Sequence, residues 1–462
     1  MTGIVGINLH GVTDYGTQMP FLDMMRSARP WYAWEGQPLA QTIFDIQDVA
    51  RPYIDDHNFT LTWVGSGTPI LTGASDNRVS GPNQITFDWR GFLGIIKPVP
   101  DIRNLKLGRT DRLGGLRNGT LFNNDFAQFN KGRAFLRFMD WQRINNSTQV
   151  HWTDRPLFKQ DTWAEGNGVP LEVCIRLCNR LKTPGWFNIP HMATDDYAIK
   201  MATMLRDRME PTVPIYIEYS NEVWNYLFDQ ARYVHALLDL PGNDPDDFRK
   251  LLRGYAERSG ELFQIFKRIL GDRVKTVLAT QTDAWACEQV LAETRADCIA
   301  ITSYFGHGLQ REPECLARIE AADMAVVVID NMLWSDNNNW SIPTWVKKIK
   351  EISAVASKYG ARMMIYEGGF HAQDAGIGTP KTQAAVLAYH LSDRQAQNYI
   401  TMMNEWRKLP NAGPFSLYAD VGPWTKDGAW TLAQTYGQLL FPAAQRIGDL
   451  ADATSPWWEG KP

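Results

Sequence analysis

YIEYSNEVWN, residues 216–225, decides how this chain is read. A β-branched and aromatic run starting at Ile215 leads straight into Asn221 and Glu222, and an aromatic residue, Trp224, follows. In sheets of parallel strands, groups at the carboxyl ends of the strands face the crevice where ligands bind, so Glu222 is expected to point into a pocket. MMIYEGGFH, residues 363–371, repeats the arrangement. There a second apolar run delivers Glu367, and two glycines are expected to let the chain turn sharply after it.

Working outward, short apolar runs bounded by Gly, Pro and Asn alternate with longer segments of helical spacing. Strands are expected at Gly3–Leu9, Ala134–Trp141, Gly185–Pro190, Ile215–Ser220, Val274–Thr280, Cys298–Tyr304, Arg362–Gly368 and Phe415–Asp420. DDYAIKMATMLRDRME and DFRKLLRGYAERSGELFQIFKRILG, between strands, carry apolar residues three or four apart and can lay one stripe on a sheet. Eight strands alternating with helices predict an α/β fold, a closed (β/α)8 barrel of the TIM type.

One stretch breaks the alternation. From about Gln37 to Arg109 the chain reads FTLTWVGSGTPIL, NQITFDWR, GFLGIIKPV and IRNLKLGR, short runs joined by Gly, Ser, Asn and Pro. That pattern predicts an inserted antiparallel β-sandwich. The expected organisation is therefore a first barrel strand and helix in residues 1–36, the inserted module in 37–112, and the rest of the barrel in 113–462.

Composition narrows the function. The chain has 462 residues, 44% hydrophobic and 21% charged, enough to bury a large core. A net charge of -4 offers no basic field for a nucleic acid, and no apolar run reaches membrane-spanning length. Five cysteines are an odd number in a chain large enough to need no staples, and Cys174 and Cys178 are expected as buried thiols. The sequence shows no HExxH, no paired Cys and His and no acidic calcium loop, so neither a metal nor a cofactor is expected. MTGIVGINLHG at the start lacks the basic segment and long apolar run of a secretory signal. Action outside the cell, for instance on a phage particle, is expected, with a cytoplasmic role left open.

Glu222 and Glu367 end the fourth and seventh expected strands, which lie across an eight-stranded ring from one another. Cleavage of a glycosidic bond needs two carboxyl groups flanking the anomeric carbon, about 5 Å apart when one of them bonds to the sugar. On these residues the chain resembles the clan A glycoside hydrolases, whose acid/base follows an Asn at the end of strand four and whose nucleophile ends strand seven. The resemblance covers roughly residues 3–12 and 120–445 and implies a retaining O-glycoside hydrolase with Glu367 as nucleophile and Glu222 as general acid/base. It implies further that Arg137 lies near the nucleophile, that Tyr304 hydrogen-bonds it, and that Trp424 floors the sugar site. A cation at Arg137 would hold Glu367 ionised, an apolar wall would keep Glu222 protonated, and Asn221 would meet a sugar 2-hydroxyl.

Other polar residues near strand ends are candidates to line the cleft: Asn8, His10, Asp140, Asn188, His191, Gln281, Asp283, His307 and His371. Trp31, Trp34, Trp224, Trp334, Trp340 and Trp424 fall in or beside expected loops and are candidate stacking platforms, with core packing as the competing reading. The expected partner is an oligosaccharide or polysaccharide, β-linked and attacked internally; oligomeric state is left open. A non-catalytic carbohydrate-binding or structural protein that keeps the barrel is the alternative. An aldolase or metal-dependent hydrolase would need a strand-end lysine or a metal-ligand cluster.

Overall fold

The computed structural model describes residues 3–33, 40–45, 57–242, 244, 246–335, 338–426, 428–436 and 441–458. Among the described residues fourteen strands occur, in chain order: β1 Val5–Asn8, β2 Tyr32–Ala33, β3 Ala40–Asp45, β4 Asn58–Val64, β5 Ile70–Gly81, β6 Gln84–Lys97, β7 Arg103–Arg109, β8 Leu136–Arg137, β9 Gly185–Ile189, β10 Ile215–Tyr219, β11 Val274–Ala279, β12 Cys298–Phe305, β13 Arg362–Phe370 and β14 Phe415–Tyr418. Eight of them form a parallel sheet in the order β13-β12-β11-β10-β9-β8-β1-β14. Its two ends meet: Met363 bridges Ala412 in parallel, and the Met363 and Ile365 amides donate to the carbonyls of Asn411 (2.9 Å) and Pro414 (3.3 Å). The sheet is thus a barrel, and each of its strands lies where the apolar runs placed one.

The period-2 geometry of strands explains why these segments close a ring. Along β10, Ile215, Ile217 and Tyr219 point outward into the large apolar cluster shared with the helices. Tyr216, of the opposite phase, joins Phe135, Trp186, Val277, Ala300, Met364 and Tyr366 in a separate cluster that fills the ring. Around the ring, helix Asp247–Leu270 buries Leu251, Leu252, Tyr255, Leu262, Phe263 and Phe266, the stripe that its spacing predicted. Helix Asp195–Arg208 starts where Thr194 accepts from the Tyr197 amide, a side-chain cap for an otherwise unpaired donor.

The remaining six strands form an antiparallel sheet in the order β2-β3-β6-β4-β7, with β5 on β6. NQITFDWR and GFLGIIKPV, read as two runs, are one strand, β6. Gly91 between them has φ 85° and its carbonyl accepts from Trp89 Nε1 at 2.8 Å, so the chain kinks without turning back. The two halves of β6 take different partners, β4 at Gln84–Asp88 and β3 at Phe92–Lys97. Trp89 meets Phe44 of β3 and Phe59 of β4, each with ring centroids 5.2 Å apart, so the bent sheet closes on a core of its own. Between β1 and β2 the described helical structure is a single 3-10 turn, Met24–Ser27, where a barrel helix was expected. All five cysteines are buried and free.

Candidate active site

The centre of the barrel mouth is a guanidinium. Arg137 lies in β8 in the same phase as Phe135, so it points inward, and it is wholly buried. All five of its N–H groups are used. Nε and Nη2 donate to Glu218 (3.1 and 2.8 Å), Nη2 also to Asn221 Oδ1 (2.8 Å), and Nη1 to Asn8 Oδ1 (3.0 Å) and Glu367 Oε1 (2.8 Å). The rings of Tyr366 and Trp186 lie 5.0 and 5.4 Å from its central carbon. Burial opposes the charge on Arg137, yet the Glu218 and Glu367 carboxylates outweigh it and drive its pKa up.

Glu218 is the first residue that the sequence reading passed over. It is fully buried in the inward phase of β10, and it also accepts from Trp186 Nε1 (2.8 Å) and Asn188 Nδ2 (2.7 Å). Burial raises its pKa against the pull of Arg137 and these donors. Fully buried and bonded to Arg137 by both oxygens, this carboxylate anchors the guanidinium. The sequence did hold a signal: an inward-phase Glu inside an apolar strand requires a buried cation.

Glu367 reaches the mouth through an irregularity. Opposite β12 the pairing runs Ile301 to Ile365 and then Thr302 to Glu367, so Tyr366 is an extra residue, a β-bulge. Strict alternation would send Tyr366 and Glu367 to opposite faces; the bulge brings both inward. Glu367 Oε1 receives Arg137 and Oε2 receives the Tyr304 hydroxyl at 3.0 Å. The two glycines after it make no turn, since β13 continues to Phe370. Gly368 is there for space: a Cβ would fall 1.7 Å from Ser303 Oγ.

Glu222 is delivered differently. After Tyr219 the chain uses two non-glycine residues of left-handed conformation, Ser220 (φ 57°) and Glu222 itself (φ 42°), a strain of about 1–3 kcal/mol each. The carboxyl accepts from Asn225 Nδ2 (2.9 Å) on Oε2 and from the Tyr366 hydroxyl (3.0 Å) on Oε1. Glu222 is therefore bonded to Tyr366, the chain neighbour of Glu367.

Burial is the main cause that raises Glu222, with Asn225, Tyr366 and Arg137 pulling it down. Burial, opposed by Arg137 and reinforced by the charge of Glu222, pushes Glu367 up to about 8. Arg137 does pull the Glu367 pKa down, the direction expected of a cation there, but burial outweighs it. One cation serves Glu218 and Glu367 together, and it does not offset the loss of water around both.

Asn221 is buried: Arg137 takes its Oδ1, and its Nδ2 donates to Asn145 Oδ1 at 3.0 Å. A wall beside Glu367 runs from Tyr304 to His371 (centroids 5.1 Å), His371 to Trp430 (5.4 Å) and Trp430 to Tyr418 (5.9 Å), and the Tyr418 hydroxyl donates to Asp140 (2.9 Å). Tyr418, Trp430 and Tyr366 were not singled out from sequence. Tyr418 was findable by its inward phase with Ser416; Trp430 gave no local signal. Burial, helped by Arg311 and His307, lowers His371 to about 4.

His307 borders a cavity of about 280 Å3 that adjoins Tyr304 and includes Gln281 and Asp283; Asp283 caps helix Ala284–Glu293. His191 packs on Tyr233, and its carbonyl accepts from Tyr219. Asn188 donates to Glu218 and the Ser220 carbonyl, and the amide of His10 donates to Asp420. Trp224 is half-buried against the outer apolar cluster. Trp424 does not join the wall beside Glu367: it packs on His390 and Phe441 (4.9 and 5.1 Å) and lines a separate cavity. Trp31 lies under Lys97, Trp334 donates to Asn398, Trp340 is buried, and Trp34 is outside the described residues. Among the described residues no group of three His, Cys, Asp or Glu is arranged to hold a metal ion, and no helix is long and apolar enough to cross a membrane.

No protein-family model and no curated protein matches the chain. Among solved structures it is similar to a GH51 arabinofuranosidase from Xanthomonas axonopodis pv. citri, at 14% identity and TM-score 0.46 over 71% of this chain and 66% of that one. It is similar also to an alpha-L-arabinofuranosidase from Thermotoga maritima in an arabinose complex, at 16% identity and TM-score 0.40 over 72% and 64%. A third is the CBM22-1-GH10 part of xylanase 10B from Clostridium thermocellum complexed with xylohexaose, at 9% identity and TM-score 0.38 over 100% and 99%. The chain spans just under two-thirds of the length of the two arabinofuranosidases.

Proposed function

We propose that this chain is a retaining O-glycoside hydrolase working by double displacement. The observation that carries the reading is the unequal clamping of two carboxyls, Glu367 buried and Glu222 half-buried, at the mouth of one barrel. Glu367 receives a guanidinium N–H, while Glu222 receives only a phenol and an amide. Charge on either disfavours charge on the other, and in this reading the proton sits on Glu222, because the guanidinium donates to Glu367 while Glu222 receives neutral donors.

Glu367 then attacks the anomeric carbon as the bond to the leaving oxygen breaks, and Glu222 gives its proton to that oxygen. Arg137 and Tyr304 fix the attacking carboxylate, one on each oxygen. Once Glu367 is an ester it has lost its charge, and the repulsion that kept Glu222 protonated disappears. Glu222 can then take a proton from the water that releases the sugar. One carboxyl serves as acid and then as base because its partner's charge is switched off between the steps.

As substrate we propose a β-linked polysaccharide attacked internally. Long segments follow β1, β8 and β12 before the next barrel element, and the wall from Tyr304 to Tyr418 presents aromatic and polar edges suited to sugar rings. The test is digestion of a panel of glycans, with the anomeric configuration of the fresh reducing end read by NMR before mutarotation. Retention at the first product supports the reading; inversion, or no cleavage across the panel, overturns it.

A further inference from the structure

The geometry points to a second binding site, for a small neutral ring-shaped molecule carrying a hydroxyl, in the cavity that Trp424 lines. This cavity holds about 310 Å3, room for one such ring. Phe370 and Ala372 border it, whereas His371 between them packs on Tyr304 and Trp430. The cavity and the carboxyl pair therefore lie on opposite faces of one stretch of chain.

Its walls are mostly apolar, from Phe370, Val386, Leu387 and Trp424. Two buried side chains interrupt them with unmet hydrogen-bonding capacity. His390 is 1% exposed, and neither ring nitrogen has a partner. Gln310 is 2% exposed; its Nε2 donates to the Ala372 carbonyl (2.6 Å), and its Oε1 has no partner. Phe441, Trp424 and Phe370 surround the imidazole with ring centroids 4.8, 4.9 and 6.2 Å away, so its apolar faces are covered while its polar edge is not satisfied by protein. Buried polar groups left without partners are uncommon and costly.

A hydroxyl is the smallest group that answers both demands, accepting from an imidazole N–H and donating to the glutamine oxygen. The apolar walls supply the surface for the ring that carries it. A carboxylate is disfavoured: burial keeps His390 neutral and Gln310 turns an acceptor oxygen to it, while Lys426, the cation in the lining, lies exposed at the rim.

The test is the thermal unfolding midpoint of the whole protein against rising phenol, benzene or benzoate, since a molecule that binds only the folded chain raises the midpoint saturably. Phenol is expected to raise it most, benzene less and benzoate not at all. Ala384→Trp, an exposed position at the cavity edge on helix Pro380–His390, should abolish the rise by filling the space. His390→Phe, which keeps a ring among rings, should erase the advantage of phenol over benzene. The proposal is overturned if phenol gives no saturable rise, if the rise survives Ala384→Trp, or if the phenol advantage survives His390→Phe. None of these readouts depends on glycoside hydrolysis.

Discussion

The ends of β10 and β13 each present a glutamate to the same space, yet they are built in opposite ways. At β10 the strand stops, and two left-handed residues swing Glu222 inward on a short loop, where it meets only neutral donors. At β13 the strand runs on through its glutamate, and a bulge turns Glu367 onto a guanidinium and a phenol. Identical side chains are made unequal by what their backbones aim them at, and acid/base division of labour between two carboxyls requires that inequality.

The comparison is broken most severely by neutralising either carboxyl. Glu367→Gln should lower kcat by at least ~10³-fold on every substrate, because no covalent intermediate can form. Glu222→Gln should lose ~10²–10⁴-fold on natural glycosides. With activated aryl glycosides, whose leaving groups need no proton, most of the loss in kcat/KM should vanish while kcat stays low, because release of the sugar still lacks its base. Measuring both variants on both substrate types checks the assignment; a Glu222→Gln loss in kcat/KM of equal size on aryl glycosides would exchange or void the roles.

Next in size is the removal of the cation that distinguishes the two. Arg137→Met leaves the Glu218 and Glu367 carboxyls buried without their counter-charge. Stability to denaturant should fall by about 3–5 kcal/mol, the range for breaking a buried ion pair from one side. A loss below ~1 kcal/mol would mean that Arg137 is not the hub that its five donated bonds describe.

The two strand ends also differ in how much of them can be read from sequence. All eight barrel strands were legible because β-branched and aromatic runs of the right length alternate with helical stripes, and that alternation is physically what a parallel barrel requires. Both glutamates were legible as strand-end carboxyls. Glu218 was missed because IYIEYS reads as one apolar run, and only the inward phase shared with Tyr216 separates it from the loop glutamate four residues on. Tyr366 was missed because alternation puts it opposite Glu367, and a bulge is set by pairing with a distant strand. The break expected in the antiparallel module at Gly91 failed for a related reason, since glycine marks a kink in a strand as well as a turn between strands. Trp424 carried no local sign of which of two cavities it would line.

Gly368 sharpens the contrast on the β13 side. If it were a turn glycine, Gly368→Ala would matter through backbone conformation; its φ is not among the left-handed values, and the obstacle is Ser303. The variant should cost about 1–3 kcal/mol by overpacking. Combining it with Ser303→Gly should recover most of the loss, as a thermal or denaturant melt of the pair would register. Failure of the second change to rescue the first would show that the glycine serves something other than close approach.

The smallest expected effect separates the two ends most finely. Tyr304 and Tyr366 each donate one hydroxyl, the first to Glu367 and the second to Glu222, and each bond lowers the pKa of the carboxyl that receives it. Removing either hydroxyl should cost about 0.5–1.5 kcal/mol in kcat/KM at the optimum, but the pH profiles should move differently. On the proposed mechanism activity rises on the acid side as Glu367 loses its proton, so Tyr304→Phe, by raising that pKa, should shift the acid limb to higher pH. On the same mechanism activity falls on the alkaline side as Glu222 loses its proton, so Tyr366→Phe should shift the alkaline limb to higher pH and leave the acid limb nearer its place. The first variant narrows the bell and the second widens it. If both narrowed it, Tyr366 would be acting on Glu367 through the backbone they share, and the separate tuning of the two strand ends would be lost.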